Sequence, residues 1–209
     1  MKRLWDISPP LQPGIPVWPG DQAYREIRTA TIGPGNPVNV SAIAISTHTG
    51  AHVDAPYHFA EDGMTAGNMG LAPYLGPARV IDLRGVKRVE PDHLAAALAD
   101  PACPPRILLR TYERAPVGRW DPDFPVPSPA AIEAIARHGG ILVGIDTPSL
   151  DPQSCATLDA HLAAHRHGLA ILEGLVLDEV AAGDYELIAL PLKLVNLDAS
   201  PVRAVLRER

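Results

Sequence analysis

Cysteine is almost absent: the chain of 209 residues carries two. Cys103 and Cys155 stand apart with no C-x-x-C spacing, so they read as reduced thiols rather than a disulfide framework. Long apolar runs are missing as well, and nothing approaches the roughly 18 uninterrupted residues of a membrane-spanning helix. Met1-Lys2-Arg3 leads straight into Leu4-Trp5-Asp6-Ile7-Ser8-Pro9, without the apolar stretch of a secretion signal, so a cytoplasmic protein is expected. Positive charge is not in excess. The formal charge of −6 and pI near 5.7 disfavour nucleic acid or an anionic membrane as partners. No G-x-S-x-G elbow occurs, which removes the usual serine nucleophile of an α/β hydrolase. No repeat and no linker divides the sequence. With 46% apolar and 20% charged residues, positions 1–209 read as a single globular domain able to bury a core.

Proline, by contrast, is plentiful, with 23 residues clustered at 9–19, 34–37, 101–105, 116–129 and 148–152. These read as stiff connections between short elements. Strands are expected at Leu4–Ser8, Gln22–Thr31, Pro37–Ser46, Ala78–Leu83, Arg106–Thr111, Ile141–Asp146, Leu169–Leu177, Tyr185–Leu194 and Val202–Leu206. Gly33-Pro34-Gly35 suggests a hairpin between the second and third. Helices are expected at Pro91–Ala99, from Ser128-Pro129 to His138, and at Thr157–His167 with Gly168 as the stop. The fold class is α/β, with a few helices flanking a mixed central sheet.

The densest chemistry lies in His48-Thr49-Gly50-Ala51-His52-Val53-Asp54-Ala55-Pro56-Tyr57-His58, which holds three of the eight histidines in eleven residues. Imidazole and carboxylate suit zinc and similar divalent ions. In a straight strand His48 and His52 would lie about 13 Å apart, too far to share an ion. In a helix Asp54 would point away from the other two. Pro56 biases Ala55 toward extended backbone, and Gly50 permits a bend. A folded loop that wraps a metal is therefore expected.

Two further places carry signals. Leu158, His161, Leu162 and His165 fall at helical spacing, so both histidines lie on or near an apolar face. Such a residue is either a hydrogen-bonded core histidine or a ligand. Glu173 interrupts an apolar strand, and a carboxylate there is costly unless it is paired, protonated or metal-bound. Trp18, in Pro16-Val17-Trp18-Pro19-Gly20, is either a lid on the core edge or the aromatic wall of a pocket.

His48-x-Gly50-x-His52-x-Asp54-x-Pro56-x-His58 resembles the signature of the metal-dependent cyclase family, and most closely its kynurenine formamidase (arylformamidase) branch. Ala51 stands where many members carry Thr, beside the ligands rather than among them. Gly144-Ile145-Asp146-Thr147-Pro148-Ser149 is similar to the same branch. The resemblance implies a swivelling β/β/α architecture, a homodimer, and Trp18 as a substrate contact. It also implies His161 and Glu173 as the remaining ligands of two divalent ions, taken to be Zn²⁺. His48 and His52 would serve the first ion and His161 the second, with Asp54 and Glu173 on both. Two such ions acidify water from a pKa of about 16 to about 7. His58, outside the ligand set, would carry the proton in hydrolysis of a small-molecule amide, N-formyl-L-kynurenine, to kynurenine and formate. Opening of a cyclic amide such as isatin needs the same ligands. A non-catalytic metal-stabilised domain fits less well, because structural zinc sites are closed and usually rich in cysteine.

Overall fold

A computed structural model describes residues 2–209. In chain order the strands are β1 (Leu4–Asp6), β2 (Arg25–Ala30), β3 (Val40–Ala44), β4 (His52–Asp54), β5 (Leu75–Asp82) and β6 (Arg88–Val89). They continue as β7 (Arg106–Arg110), β8 (Val126–Pro127), β9 (Leu142–Ile145), β10 (Ala170–Glu173), β11 (Gly183–Ile188), β12 (Ala199–Pro201) and β13 (Val205–Glu208). The helices are α1 (Pro91–Leu98), α2 (Pro129–Arg137) and α3 (Asp159–Arg166). Nine strands form one mixed sheet in the order β1-β13-β11-β5-β7-β9-β10-β4-β12, while β2 pairs with β3 and β6 with β8.

The centre is parallel, β5-β7-β9-β10. Every residue of β7 and β9 is buried, as covered parallel strands require. On one face α1, α2 and α3 pack Leu94, Leu98, Ile132, Ile135, Ala160 and Ala163 against Ile107, Leu109, Val143, Ile145 and Ile171. On the other, Val53 of β4 shares a cluster with Val80, Leu108, Leu172, Leu187 and Leu206, residues from strands widely separated in the sheet order. A flat sheet keeps such strands apart, so the sheet curls until its concave side packs on itself.

The helices start and stop much as their end residues indicate. Ser128 caps α2, its hydroxyl accepting from the Ala131 N–H at 3.2 Å. The hairpin β2–β3 forms across Gly33–Asn36. Three expectations change, the first being that the strand expected over Tyr185–Leu194 spans Gly183–Ile188. The histidine segment is not loop throughout: His52–Asp54 is a fully buried strand paired on both sides, to β10 and to β12. The strand expected over Leu169–Leu177 ends at Glu173. Gly174 there turns with φ +67°, and Gly50 bends with φ +69°.

Those two glycines meet. A Cβ on Gly174 would sit 2.1 Å from the Gly50 carbonyl oxygen, so the backbones leading into His52 and out of Glu173 cross in contact. Gly174→Ala is expected to cost about 3 kcal/mol or more, adding the left-handed strain of a Cβ to a backbone collision. Gly85→Ala is the control. At φ +82° with open space around it, that site has only the strain, about 1 kcal/mol. Urea midpoints at unchanged m-value measure both, and equal losses would mean that the crossing is not tight.

Candidate metal centre

Strand register assembles the first part of the site. His52 and Glu173 are direct partners across β4 and β10, so their side chains leave the same face. Asp54, two residues on, points the same way, and Ile171 opposite it packs against the helices. The site thus sits on the helix-covered face. The bend at Gly50 folds His48 back over this strand end, its ring centroid 4.9 Å from that of His52. Pro56 keeps Ala55 extended, at φ −91° and ψ 151°, before a short turn places His58 with its ring centroid 4.2 Å from that of His48.

His161 arrives on α3. Its buried neighbours on that helix are alanines, 160, 163 and 164, which let the helix lie close to the sheet. The Asp151 carboxylate accepts the Ala160 N–H at 3.0 Å and the His161 N–H at 3.0 Å, filling the role of an absent side-chain cap. It also accepts a hydrogen bond from His161 Nδ1–H at 2.7 Å, which turns Nε2 to the cluster. His165, by contrast, is exposed rather than on the apolar face.

All five expected ligands converge. The His52 Nε2 atom lies 3.5 Å from Asp54 Oδ1 and 3.3 Å from Glu173 Oε2. That of His161 lies 3.3 Å from Asp54 Oδ2 and 3.3 Å from Glu173 Oε1. His48 Nδ1 is 3.1 Å from Asp54 Oδ1. Each carboxylate therefore presents one oxygen to His52 and the other to His161. Ligand atoms held tetrahedrally at about 2.1 Å from one ion are about 3.4 Å apart, which is the spacing here.

Three observations test whether a cation fits. His52 Nδ1 faces the Gly50 carbonyl at 2.9 Å; a carbonyl only accepts, so Nδ1 donates and the lone pair of neutral His52 lies on Nε2. That lone pair faces two carboxylate oxygens, a repulsive arrangement unless positive charge lies between them. His52 Nε2 and both Asp54 oxygens are moreover buried without a hydrogen-bond partner. Finally, the groups perturb one another as a site that demands positive charge. Burial pushes the Asp54 carboxyl up, but His161 and His48 outweigh it and hold it well below the usual carboxylate range. Burial opposes charge on His48 too, yet the Asp198 and Asp54 carboxylates beside it push its imidazole up to about 10. A divalent ion fits this donor set of imidazole and carboxylate.

Asp198, which carried no sequence signal, is the second addition beside Asp151. Its Oδ2 lies 3.0 Å from His48 Nε2 and 3.6 Å from His58 Nδ1, and the Thr47 hydroxyl donates to its other oxygen at 3.0 Å. The His48 contact holds the Asp198 carboxyl below its ordinary range. The His58 side chain is 32% exposed, and burial lowers its imidazole pKa against the pull of Asp54. A cavity of about 230 Å³ opens over His48, His58, His161 and Glu173. Trp18 lines it, packed edge to face on Trp120 at 5.4 Å, with Phe124 behind both.

The family model named Cyclase matches residues 5–152, most of the chain. The chain belongs to the cyclase family. The matched span holds Trp18, His48, His52, Asp54 and His58 but ends before His161 and Glu173, which the fold brings in. A solved structure described as a potential metal-dependent hydrolase with cyclase activity is 30% identical, with TM-score 0.85, covering 100% of this chain and 99% of that one. A predicted metal-dependent hydrolase from Bacillus stearothermophilus is 29% identical, with TM-score 0.84 over 100% of both chains. Isatin hydrolase A from Labrenzia aggregata is 26% identical, with TM-score 0.83, covering 99% of this chain and 93% of that one. The first two of these relatives are described as metal-dependent hydrolases, and the buried histidine and carboxylate groups of this cyclase-family chain are of the kind that hold a divalent metal.

Glu173→Gln should leave the purified protein without bound metal by elemental analysis, whereas wild type keeps it. Asp151→Asn should weaken metal affinity about 10- to 100-fold in competition with a chelator, because His161 loses its orienting acceptor. Wild-type affinity in Asp151→Asn would remove that residue from the site.

Proposed function

We propose that this chain hydrolyses N-formyl-L-kynurenine to L-kynurenine and formate with two bound Zn²⁺ ions. The observation that carries the reading is the placement of the five-ligand cluster at the floor of a cavity walled by Trp18 and Trp120. The two-ion count rests on the carboxylates of Asp54 and Glu173, each of which turns one oxygen to His52 and one to His161. In this reading His48 and His52 would hold one ion and His161 the other, with Asp54 and Glu173 as ligands to both. Such ions acidify water into the neutral range and polarise a carbonyl.

The protein's own groups supply the rest. Trp18 and Trp120 offer rigid aromatic surface for the aryl ring. His58, beside the cluster but outside its ligand set, is placed to move a proton, with Asp198 close to its Nδ1 to hold the ring. It accepts the proton that water gives up on adding to the formyl carbon and returns it to the aniline nitrogen as the C–N bond breaks. Water thus contributes hydroxyl to formate and hydrogen to the amine.

Isatin-type ring opening is the second reading, favoured by the likeness to the Labrenzia aggregata enzyme and to isatin hydrolase A from Ralstonia solanacearum, 25% identical with TM-score 0.84. Both reactions break an aryl amide C–N bond. Ultraviolet assays with each substrate, before and after chelation, separate them. The proposal expects chelator-sensitive loss of the N-formylkynurenine absorbance at rates well above those with isatin; the reverse order selects the cyclic amide. His58→Ala is expected to keep its metal and lose most of kcat, at least about 100-fold. Near-normal turnover would exclude His58 as the proton carrier.

We also propose a homodimer. The β2–β3 hairpin is exposed on both faces, with Ile27 at 40% and Ile43 at 54%. A two-stranded ribbon is marginal alone, and a second copy would cover these side chains. Light scattering should give twice the monomer mass, and Ile27→Lys with Ile43→Lys should lower it. A monomeric wild type would refute the dimer.

A further inference from the structure

The connection from β7 to β8 supplies Tyr112, Ala115, Pro116, Val117, Arg119, Trp120 and Asp121 to the cavity wall, more than any other segment. It is pinned at three points. The Tyr112 hydroxyl donates to Asp121 at 2.8 Å, the Ala115 N–H to the Asp178 carboxylate at 2.8 Å, and the Trp120 indole N–H to Gln153 at 2.8 Å. These contacts fix the backbone on both sides of Arg119.

Histidines aside, Arg119 is the cationic side chain lining this cavity, and its guanidinium has no ion pair or hydrogen bond among the described residues. The acids around it are already engaged. Asp21 accepts from the Ser46 hydroxyl, Asp121 from Tyr112, and Asp146 from the Thr111 and Tyr112 N–H groups and the Thr111 hydroxyl. Glu173 belongs to the metal cluster. Arg119, an exposed residue next to Trp120 in the chain, therefore brings an unengaged cation to the cavity lining.

We propose that Arg119 determines specificity by binding a carboxylate of the substrate remote from the amide that is cleaved, so that the cavity selects anionic aryl amides over neutral ones. The inference rests on the aryl-amide hydrolase reading above. A planar guanidinium receives a carboxylate through two parallel hydrogen bonds. Trp120, its chain neighbour, meets Trp18 edge to face, so an aryl ring against that pair would lie beside the segment that carries Arg119. N-formylkynurenine has such a carboxylate, whereas isatin has none until its ring has opened.

The test compares two aryl formamides that differ in this group, 4-(2-formamidophenyl)-4-oxobutanoate and 2-formamidoacetophenone, with metal-loaded wild type, Arg119→Ala and Arg119→Lys. Wild type is expected to prefer the carboxylate in kcat/KM. Arg119→Ala should reduce that preference about 10-fold through KM, and Arg119→Lys should restore part of it, since a point charge keeps the attraction but not the fork. Equal metal content in all three proteins verifies the fold. If wild type hydrolyses both compounds with equal kcat/KM, or Arg119→Ala keeps the preference, Arg119 is not the selector and the hydrolase reading stands. If wild type hydrolyses neither, the aryl-formamide reading falls and this inference with it.

Discussion

Two carboxylates, Asp54 and Glu173, are buried on one face of adjoining strands, and the site is arranged around what they require. An ionised carboxylate out of water costs several kcal/mol unless charge and hydrogen bonds compensate it. Here the compensation is divided among His48, His161, the Leu150 N–H, which donates to Glu173 at 2.7 Å, and the positive charge that the cluster is built to hold. The antiparallel register of β4 on β10 places the two acids on the same face, and the contact of Gly50 with Gly174 holds that register at the strand ends. A one-residue slip of β4 on β10 would turn His52 and Asp54 into the opposite, apolar cluster and away from Glu173. Correct strand pairing and construction of the centre are therefore one requirement.

The aromatic and polar sides of the cavity come from different parts of the fold. The ligands sit on β4, α3 and β10 and on the bend before β4, elements fixed by the core. Trp18, Trp120 and Arg119 sit on proline-rich connections, whose stiffness lets irregular backbone hold a defined wall. Chemistry is thus carried by the packed scaffold and selectivity by the connections, a division common to α/β enzymes.

Much of this was legible in the sequence, and the physical reasons differ by residue. His48, His52, Asp54 and His58 are near neighbours in the chain, and chain geometry alone excluded a straight strand or a helix. Glu173 stood out because a carboxylate inside an apolar run demands a reason. His161 needed the family resemblance, since helical spacing could not separate it from His165, which the fold leaves exposed. The strand character of residues 52–54 was hidden, because three residues flanked by glycine and proline carry too little alternation to read. Asp151 lay two residues beyond Gly144–Ser149, the stretch that resembles the family, and nothing in spacing says that a loop acid ten residues before a histidine will reach back to its ring. Asp198 approaches from the far end of the chain, a juxtaposition created by β12 pairing with β4 and by no local pattern.

Asp151 joins two tasks that are usually separate. The same carboxylate closes the open amide end of α3 and fixes which nitrogen of His161 is offered to the cluster. Fraying of residues 159–166 and release of the cation are consequently one thermodynamic event viewed from opposite ends. Backbone amides along this helix should exchange with deuterium at a pace set by ion occupancy, and a surface change that loosens the helix acts on affinity without touching a ligand.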